Sequence, residues 1–95
     1  MPYLTPAARI PIQDYVDVLA EAMMDNSDDL SIAGTLNFVI FRLVHRIIST
    51  RGESYARYNG LIGAIECCKQ ELYRRCVGPY EDKAIERNGD VTGDA

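Results

Sequence analysis

The sequence predicts a small all-α protein, a bundle of three or four helices built around a helical hairpin. Apolar residues recur at three- and four-residue spacing along most of the chain, and short polar or glycine-containing segments separate these stretches. Ninety-five residues are enough for a single domain over residues 1–95, but a domain of this size buries only a modest core. We therefore expect association with further copies of the chain to add stability.

The N-terminal segment 1–11 contains three prolines, each of which removes a backbone donor and restricts the residue before it. We expect this segment to form an extended arm. A first helix is predicted from about Ile12, because apolar and acidic residues then fall on opposite faces of the helical period. The apolar face contains Ile12, Tyr15, Val16, Leu19, Ala22 and Met23, and the acidic face contains Asp14, Asp17, Glu21 and Asp25.

A second helix is predicted from about Leu30 to Thr50. The polar residues Asn26 to Asp29 can end the first helix and cap the second, and Arg51-Gly52 can end the second. The apolar arc of this helix is too wide for one partner, because Phe38 and Phe41 lie outside its main stripe. Such a helix is expected to be central in the domain or shared with a second chain.

A third helix is predicted from about Tyr55 to Val77, with Ser54 as its cap. Its interior contains Gly60 and Gly63, and a glycine inside a helix costs about 1 kcal/mol relative to alanine. Two such glycines indicate that another backbone approaches the helix closely.

The pair Gly78-Pro79 is expected to break the third helix, and the proline can open a short fourth helix through Glu86. Residues 90–95 have too little apolar content to fold around and are expected to form a flexible tail.

The charge of the chain is unevenly distributed, although its formal total is only −4. Residues 1–35 have a net charge of −5, residues 36–77 of +4, and the remainder of −3. An acidic total is unsuited to a protein that coats nucleic acid, so we expect no nucleic-acid partner.

The sequence favours a reduced, cytoplasmic environment. The most apolar stretch, 36–48, is interrupted by Arg42, His45 and Arg46, so we expect no membrane span, and no apolar segment of secretory length is seen at the N-terminus. The three cysteines cannot pair completely, and two of them are adjacent. We expect buried, reduced thiols at Cys67, Cys68 and Cys76.

No motif predicts catalysis, a metal or a cofactor. His45 is the only histidine, and a packing or hydrogen-bonding role is expected for it rather than a role as a base. Glu66 and Glu71 are the carboxylates that a helical metal-dependent hydrolase would use. They are five residues apart and point about 140° away from each other on a helix. We therefore expect no enzymatic activity.

The basic middle of the chain is the predicted ligand-binding region. Arginine side chains bind phosphate and tyrosine rings stack on bases, so together they suit a small anionic ligand such as a nucleotide. The alternative is internal pairing, in which Glu66 pairs with Lys69 and Glu71 pairs with Arg74 or Arg75. The candidate residues are Arg42, Arg46, Lys69, Tyr73, Arg74, Arg75 and Tyr80.

Four segments in the last 40 or so residues resemble a family of small uncharacterised proteins from phages and bacteria: YNGLIGAIEC at 58–67, ELYRR at 71–75, PYEDK at 79–83 and ERNGDV at 86–91. This resemblance implies kinship without implying an activity. In size and helical character the chain is also similar to phage proteins that assemble into oligomers and sequester nucleotide immune signals, an analogy without a shared motif.

Three functions follow from the sequence. The first is a non-enzymatic helical binding or interaction protein that acts as a homo-oligomer, phage-encoded and located in the host cytoplasm. The second is a phage anti-defence protein that sequesters a small linear or cyclic nucleotide. The third is a metal-dependent nucleotide hydrolase, which the helical geometry of Glu66 and Glu71 disfavours.

Overall fold

The computed structural model describes residues 3–93, which form helices and connections but no β-strand. This confirms the predicted all-α class. The helices are α1 (Pro6–Asp25), α2 (Ile32–Arg51), α3 (Tyr55–Leu72), a π-helical turn (Tyr73–Val77) and α4 (Gly78–Asn88). The chain divides into two compact units, Met1–Ser54 and Tyr55–Ala95, and the prediction of one domain over residues 1–95 stays a prediction. Residues 1–2 of the predicted arm and 94–95 of the predicted tail lie outside the described residues.

Helix α1 begins at Pro6, so the prediction of an extended arm over residues 1–11 is wrong for residues 6–11. Thr5 is the N-cap, and its Oγ1 accepts a backbone hydrogen bond from the first turn at 3.3 Å. Pro6 occupies the first turn, where a missing N–H costs the helix nothing. Pro11 lies further inside and removes one backbone donor, which the rest of the helix tolerates.

The connection between α1 and α2 closes the end of α1 with its own side chain, as predicted, whereas Ser31, the N-cap residue of α2, makes no side-chain capping hydrogen bond. Asn26 donates to the Ala22 carbonyl from Nδ2 at 2.7 Å and from its backbone N–H at 3.2 Å. Asp28 Oδ1 accepts the N–H groups of Leu30 and Ser31 at 3.1 and 2.9 Å, and Ser31 Oγ accepts the Asp28 N–H at 3.0 Å. This reciprocal pair closes the turn that leads into α2. The hydrogen bonds from Ser31 are the main reason that the pKa of Asp28 lies below its ordinary value.

Helices α1 and α2 contact each other as a hairpin that covers little apolar surface. Within this unit, Ile48 is the one buried residue that the structure describes, with 6% of its surface exposed. Met23 and Val44 are half-buried, whereas residues 6–22 of α1 are all exposed. The predicted hairpin is therefore present, but it encloses almost no core of its own.

In the second unit the predicted break at Gly78-Pro79 is absent, and the backbone stays helical from Tyr55 to Asn88. A proline ring inside an α-helix conflicts with the carbonyl four residues earlier and offers no N–H. The π-helical turn accommodates Pro79, because one extra residue widens the turn that precedes it. The Gly78 N–H accordingly donates to the carbonyl of Tyr73, five residues back. The prediction of a helix end at this position is wrong for that reason.

The glycines of the chain have different roles. Gly52 and Gly89 end α2 and α4 with φ angles of 96° and 82°, and each donates its N–H at 2.8 Å to a carbonyl four residues earlier. A Cβ added at Gly60 or Gly63 would meet no described atom within 4 Å. The prediction that another backbone approaches these two glycines is therefore wrong for the described part of this chain.

Candidate functional site

The structure distributes the seven predicted ligand-binding residues over both units. Arg42 and Arg46 lie one turn apart on α2, in the first unit. The other five lie along one helical run in the second unit: Lys69 on α3, Tyr73, Arg74 and Arg75 in the π-helical turn, and Tyr80 on α4.

Two of these cations are engaged by carboxylates of their own helix. Lys69 Nζ lies 2.9 Å from Glu66 Oε1. Arg74 Nη2 donates to both carboxylate oxygens of Glu71 at 3.0 Å, and its Nε donates to Oε1 at 3.2 Å. The hydrogen bond from Lys69, followed by one from Gln70, holds the pKa of Glu66 below its usual value. The internal pairing that the three-residue spacing predicted is confirmed for Glu66 with Lys69 and for Glu71 with Arg74.

Three candidate residues around the π-helical turn are exposed and unengaged. Tyr73, Arg75 and Tyr80 have no side-chain hydrogen bond or ion pair with any residue of the described range 3–93. Single π-helical turns inside longer helices occur often at functional sites. Sequence reasoning identified these residues but missed the π-helical turn, whose signal is a Gly-Pro pair that follows a helical run without a preceding polar cap.

One face of α2 combines aromatic and basic side chains. The rings of Phe41 and His45 are stacked with 6.3 Å between their centroids and 9° between their planes. Phe38, Phe41, Arg42 and His45 line a shallow groove of about 280 Å³. We call these four residues and Arg46 the basic-aromatic face. The predicted packing role of His45 takes the form of this exposed stack on Phe41.

A second groove, of about 250 Å³, follows the start of α1. Arg9 anchors the segment before the helix, because its Nε donates to the Leu4 carbonyl at 3.0 Å. Sequence reasoning missed this groove because it placed residues 6–11 in an extended arm instead of in the helix. The lining residues are Leu4, Arg9, Ile12, Gln13, Val16 and Asp17.

The three cysteines are free, and all three are exposed, so the prediction of buried thiols is wrong. They lie along α3 and the π-helical turn, in a unit whose described residues, 55–93, include none that is buried. Burial was expected from the usual behaviour of free cysteine, and it would require an apolar core that this unit does not contain.

The carboxylates that a metal-dependent hydrolase would use have cationic partners on their own helix. Glu66 is paired with Lys69 and Glu71 with Arg74. Residues 3–93 contain no group of three or more His, Cys, Asp or Glu side chains that could hold a metal ion.

Helix α2 is long and apolar enough to cross a membrane when it is judged by length and composition only, with a mean hydropathy of 1.3 and 6% of the segment buried. The mostly buried core helix of a soluble protein and a signal sequence pass the same test of length and composition, so one such helix is weak evidence for a membrane span. Arg42 and Arg46 lie near the middle of this helix, where a charged side chain is costly in hydrocarbon.

Comparison with known proteins identifies a family but no activity. No curated protein and no solved structure matches the chain. Residues 1–91 match a family described as a domain of unknown function, DUF6899. This match covers nearly the whole sequence and confirms the expected membership of an uncharacterised family, while the resemblance of the four C-terminal segments and a phage origin stay predictions. The chain therefore belongs to the DUF6899 family of proteins of unknown function.

Proposed function

We propose that this chain is a non-enzymatic helical binding protein that acts as a homo-oligomer. The observation that carries the proposal is the shortage of covered apolar surface within each unit. Ile48 is buried in the first unit, and none of the described residues of the second unit is buried. Marginal stability requires apolar burial to offset conformational entropy, so these helices need a further partner. The resemblance to phage and bacterial proteins supports a phage-encoded protein in the cytoplasm of a bacterial host.

The basic-aromatic face of α2 supports association most directly. Phe38 is 63% exposed and Phe41 is 72% exposed, although both lie in the middle of a regular helix. Complete burial of a phenylalanine side chain contributes about 1.5 to 3 kcal/mol. The two exposed fractions therefore leave about 1 to 2 kcal/mol per phenylalanine that only another surface can supply.

A lipid bilayer is the alternative environment that would bury the exposed apolar side chains of α2. Arg42 lies at the centre of this 20-residue helix, and Arg46 lies one turn away. An arginine at the centre of a membrane-spanning helix costs about 2.5 to 3.5 kcal/mol. A protein surface that carries carboxylates avoids this cost, which favours a protein partner over lipid.

Light scattering after size exclusion tests the proposal with wild type and with the double variant F38S/F41S. We expect a wild-type mass above one chain at micromolar concentration. In the smallest assembly, a dimer, the variant removes four phenylalanines, which corresponds to an association at least about a thousandfold weaker. The matched control L30S/V91S changes two exposed apolar residues outside the helices and should keep the wild-type mass. A wild type that is monomeric at every concentration would contradict homo-oligomerisation.

The exposed residues around the π-helical turn favour a second function, sequestration of a small nucleotide. Tyr73 and Tyr80 offer aromatic faces, and the guanidinium of Arg75 has no partner within the described residues. These groups suit base stacking and phosphate binding. Lys69 and Arg74 would have to exchange a carboxylate partner for a phosphate, which lowers their contribution.

Thermal-shift measurements with linear and cyclic nucleotides test this second function. A ligand at a hundred times its dissociation constant adds about 2.7 kcal/mol to the free energy of unfolding. We expect Arg75→Ala to lose most of the shift and Arg87→Ala, a matched exposed arginine on α4, to keep it. Equal shifts in both variants, or no shift with wild type, would contradict a nucleotide site at the π-helical turn.

A further inference from the structure

The charges of the first unit are sorted by helix. Helix α1 carries four acids and one arginine, a net charge of −3, and α2 carries three arginines and no acid, a net charge of +3. Hydrogen bonds and ion pairs engage none of the α1 acids or the α2 arginines within residues 3–93. The α1 acids are Asp14, Asp17, Glu21 and Asp25, and the α2 arginines are Arg42, Arg46 and Arg51.

The acidic side of α1 also carries exposed apolar side chains. At 100° per residue, Ile10 falls within about 40° of Asp14, Asp17 and Glu21, and Val18 falls within about 60° of Asp14 and Glu21. Ile10 is 73% exposed and Val18 is 64% exposed. We call these five residues the acidic-apolar face. It matches the basic-aromatic face of α2 in character, because each combines charges of one sign with uncovered apolar surface.

The spacing of the charges also matches. Asp17 and Glu21 are four residues apart on α1, and Arg42 and Arg46 are four residues apart on α2. Each pair therefore spans about 6 Å along its helix axis. Two helices that lie side by side can form both ion pairs at once, whether they run parallel or antiparallel.

The hairpin does not bring these two faces together within one chain. Its half-buried and buried positions include Met23, Val44 and Ile48, whereas all residues of the acidic-apolar and basic-aromatic faces are exposed. Each chain thus exposes both an acidic-apolar face and a basic-aromatic face to other molecules. A second copy supplies the complement of both, since in a two-fold dimer each contact is made twice.

We propose that the acidic-apolar face of α1 in one copy packs against the basic-aromatic face of α2 in a second copy. This inference rests on the proposed homo-oligomer and specifies its interface. Apolar contacts of Phe38 and Phe41 supply most of the association, and the charges select the partner face because like charges would otherwise meet. In this interface the α1 acids lie beside the guanidinium groups of α2, so no unpaired positive charge is buried away from water.

Charge reversal in separate chains tests the interface. The first variant is D17R/E21R, whose α1 and α2 are both basic, and the second is R42E/R46E, whose α1 and α2 are both acidic. We expect each alone to associate at least about tenfold more weakly than wild type, because every contact then joins like charges. An equimolar mixture should recover the wild-type mass, with both chains in one complex by native mass spectrometry, because both contacts are again complementary.

Two matched controls and a combined variant keep the test decisive. The variants D82R/E86R and K83E/R87E reverse the same numbers of charges at the same spacing on α4, and they should keep the wild-type mass. The four reversals D17R/E21R/R42E/R46E in one chain should restore self-association, even where either double variant folds poorly. Circular dichroism reports the helix content of every variant.

The outcomes separate this interface from the homo-oligomer itself. A monomeric wild type overturns both proposals. This holds equally if the monomer binds phosphatidylcholine vesicles through α2, or if another segment of the same chain covers the two faces. A wild-type oligomer whose mass survives both double reversals overturns the interface alone. Failure of the mixture and of the four-reversal chain to associate also overturns the interface, whereas recovery in either supports it.

Discussion

Substitution of Gly78 by alanine tests whether the π-helical turn depends on a glycine. In the interior of an α-helix, alanine is more stable than glycine by about 0.8 to 1.0 kcal/mol. At Gly78 the new Cβ would lie 3.2 Å from the carbonyl oxygen of Tyr73. This separation is shorter than the 3.4 to 4 Å of an ordinary van der Waals contact of a Cβ atom. The same oxygen accepts the Gly78 N–H, so it cannot move away without weakening the π-helical hydrogen bond.

The strain removes the gain that alanine would otherwise bring. A shift of the carbonyl by a few tenths of an ångström requires distortion of bond angles and dihedrals, and a distortion of about 7° in one bond angle costs about 1 kcal/mol. We therefore expect Gly78→Ala to leave the free energy of unfolding unchanged or to lower it by up to about 1 kcal/mol. Gly63→Ala is the matched control, because no described atom lies within 4 Å of its added Cβ. It should raise the free energy of unfolding by about 1 kcal/mol.

Urea denaturation followed by circular dichroism measures both variants at one protein concentration, so that association affects them equally. The expected difference between the two free energies of unfolding is about 1 to 2 kcal/mol, with Gly63→Ala the more stable. Hydrogen exchange of the residue-78 amide reports the π-helical bond directly. A Gly78→Ala variant as stable as Gly63→Ala would refute the requirement for glycine at this turn.

Two further predictions concern the helix ends and the π-helical turn. Pro79→Ala restores a backbone donor and removes the ring that the wide turn accommodates, so we expect the turn to relax to α-helix and the helix to gain stability, measured by amide exchange from residue 73 to 80. Asp28 has a folded-state pKa below its ordinary value of 3.8, so its contribution to stability is present above this pH and is lost as the pH falls through the folded-state pKa. Asp28→Asn should therefore reduce the loss of stability as the pH falls below about 4 in acid titrations; an unchanged acid titration would exclude this role.

The parts of the fold that the sequence predicted correctly depend on neighbours along the chain. The Asn26 side chain that closes the end of α1 acts within a few residues, and so does the glycine that ends α2 at Gly52. The ion pair between Glu66 and Lys69 likewise follows from a three-residue spacing. Such interactions are determined by helix geometry alone, so they can be read from spacing before a tertiary structure is known.

The incorrect predictions share a different cause. Pro11 was expected to lie in an extended arm, and Gly78-Pro79 was expected to break the third helix before a fourth began. Each proline is accommodated within a helical run instead, Pro11 after an N-capped first turn and Pro79 after a π-helical turn. The cost of a proline depends on its position relative to the helix start and on whether the backbone can widen, neither of which composition reveals. Burial of Cys67 and Cys68 was predicted from residue type, but burial requires a covering surface that the described part of the chain does not supply.

The candidate ligand site was only partly predictable. Spacing shows which basic residues can reach a given acid, but it does not show which of them forms the ion pair. Arg74 and Arg75 are adjacent, and both were possible partners for Glu71. The structure joins Glu71 to Arg74 and leaves Arg75 available for an anion.

The distribution of charge differs between the two units, and this difference supports a different proposed partner for each. In the second unit, acids and bases alternate along one helical run, so Lys69 and Arg74 find carboxylates within a single turn. In the first unit, α2 carries no acid, so neither Arg42 nor Arg46 can pair within its own helix. Their charges can be compensated only from another helix, and the acids of α1 in the same hairpin remain unpaired with them. Segregation of charge by helix therefore supports the proposed second chain as the partner of the first unit, and Arg75, which no described carboxylate engages, supports the proposed small ligand of the second unit.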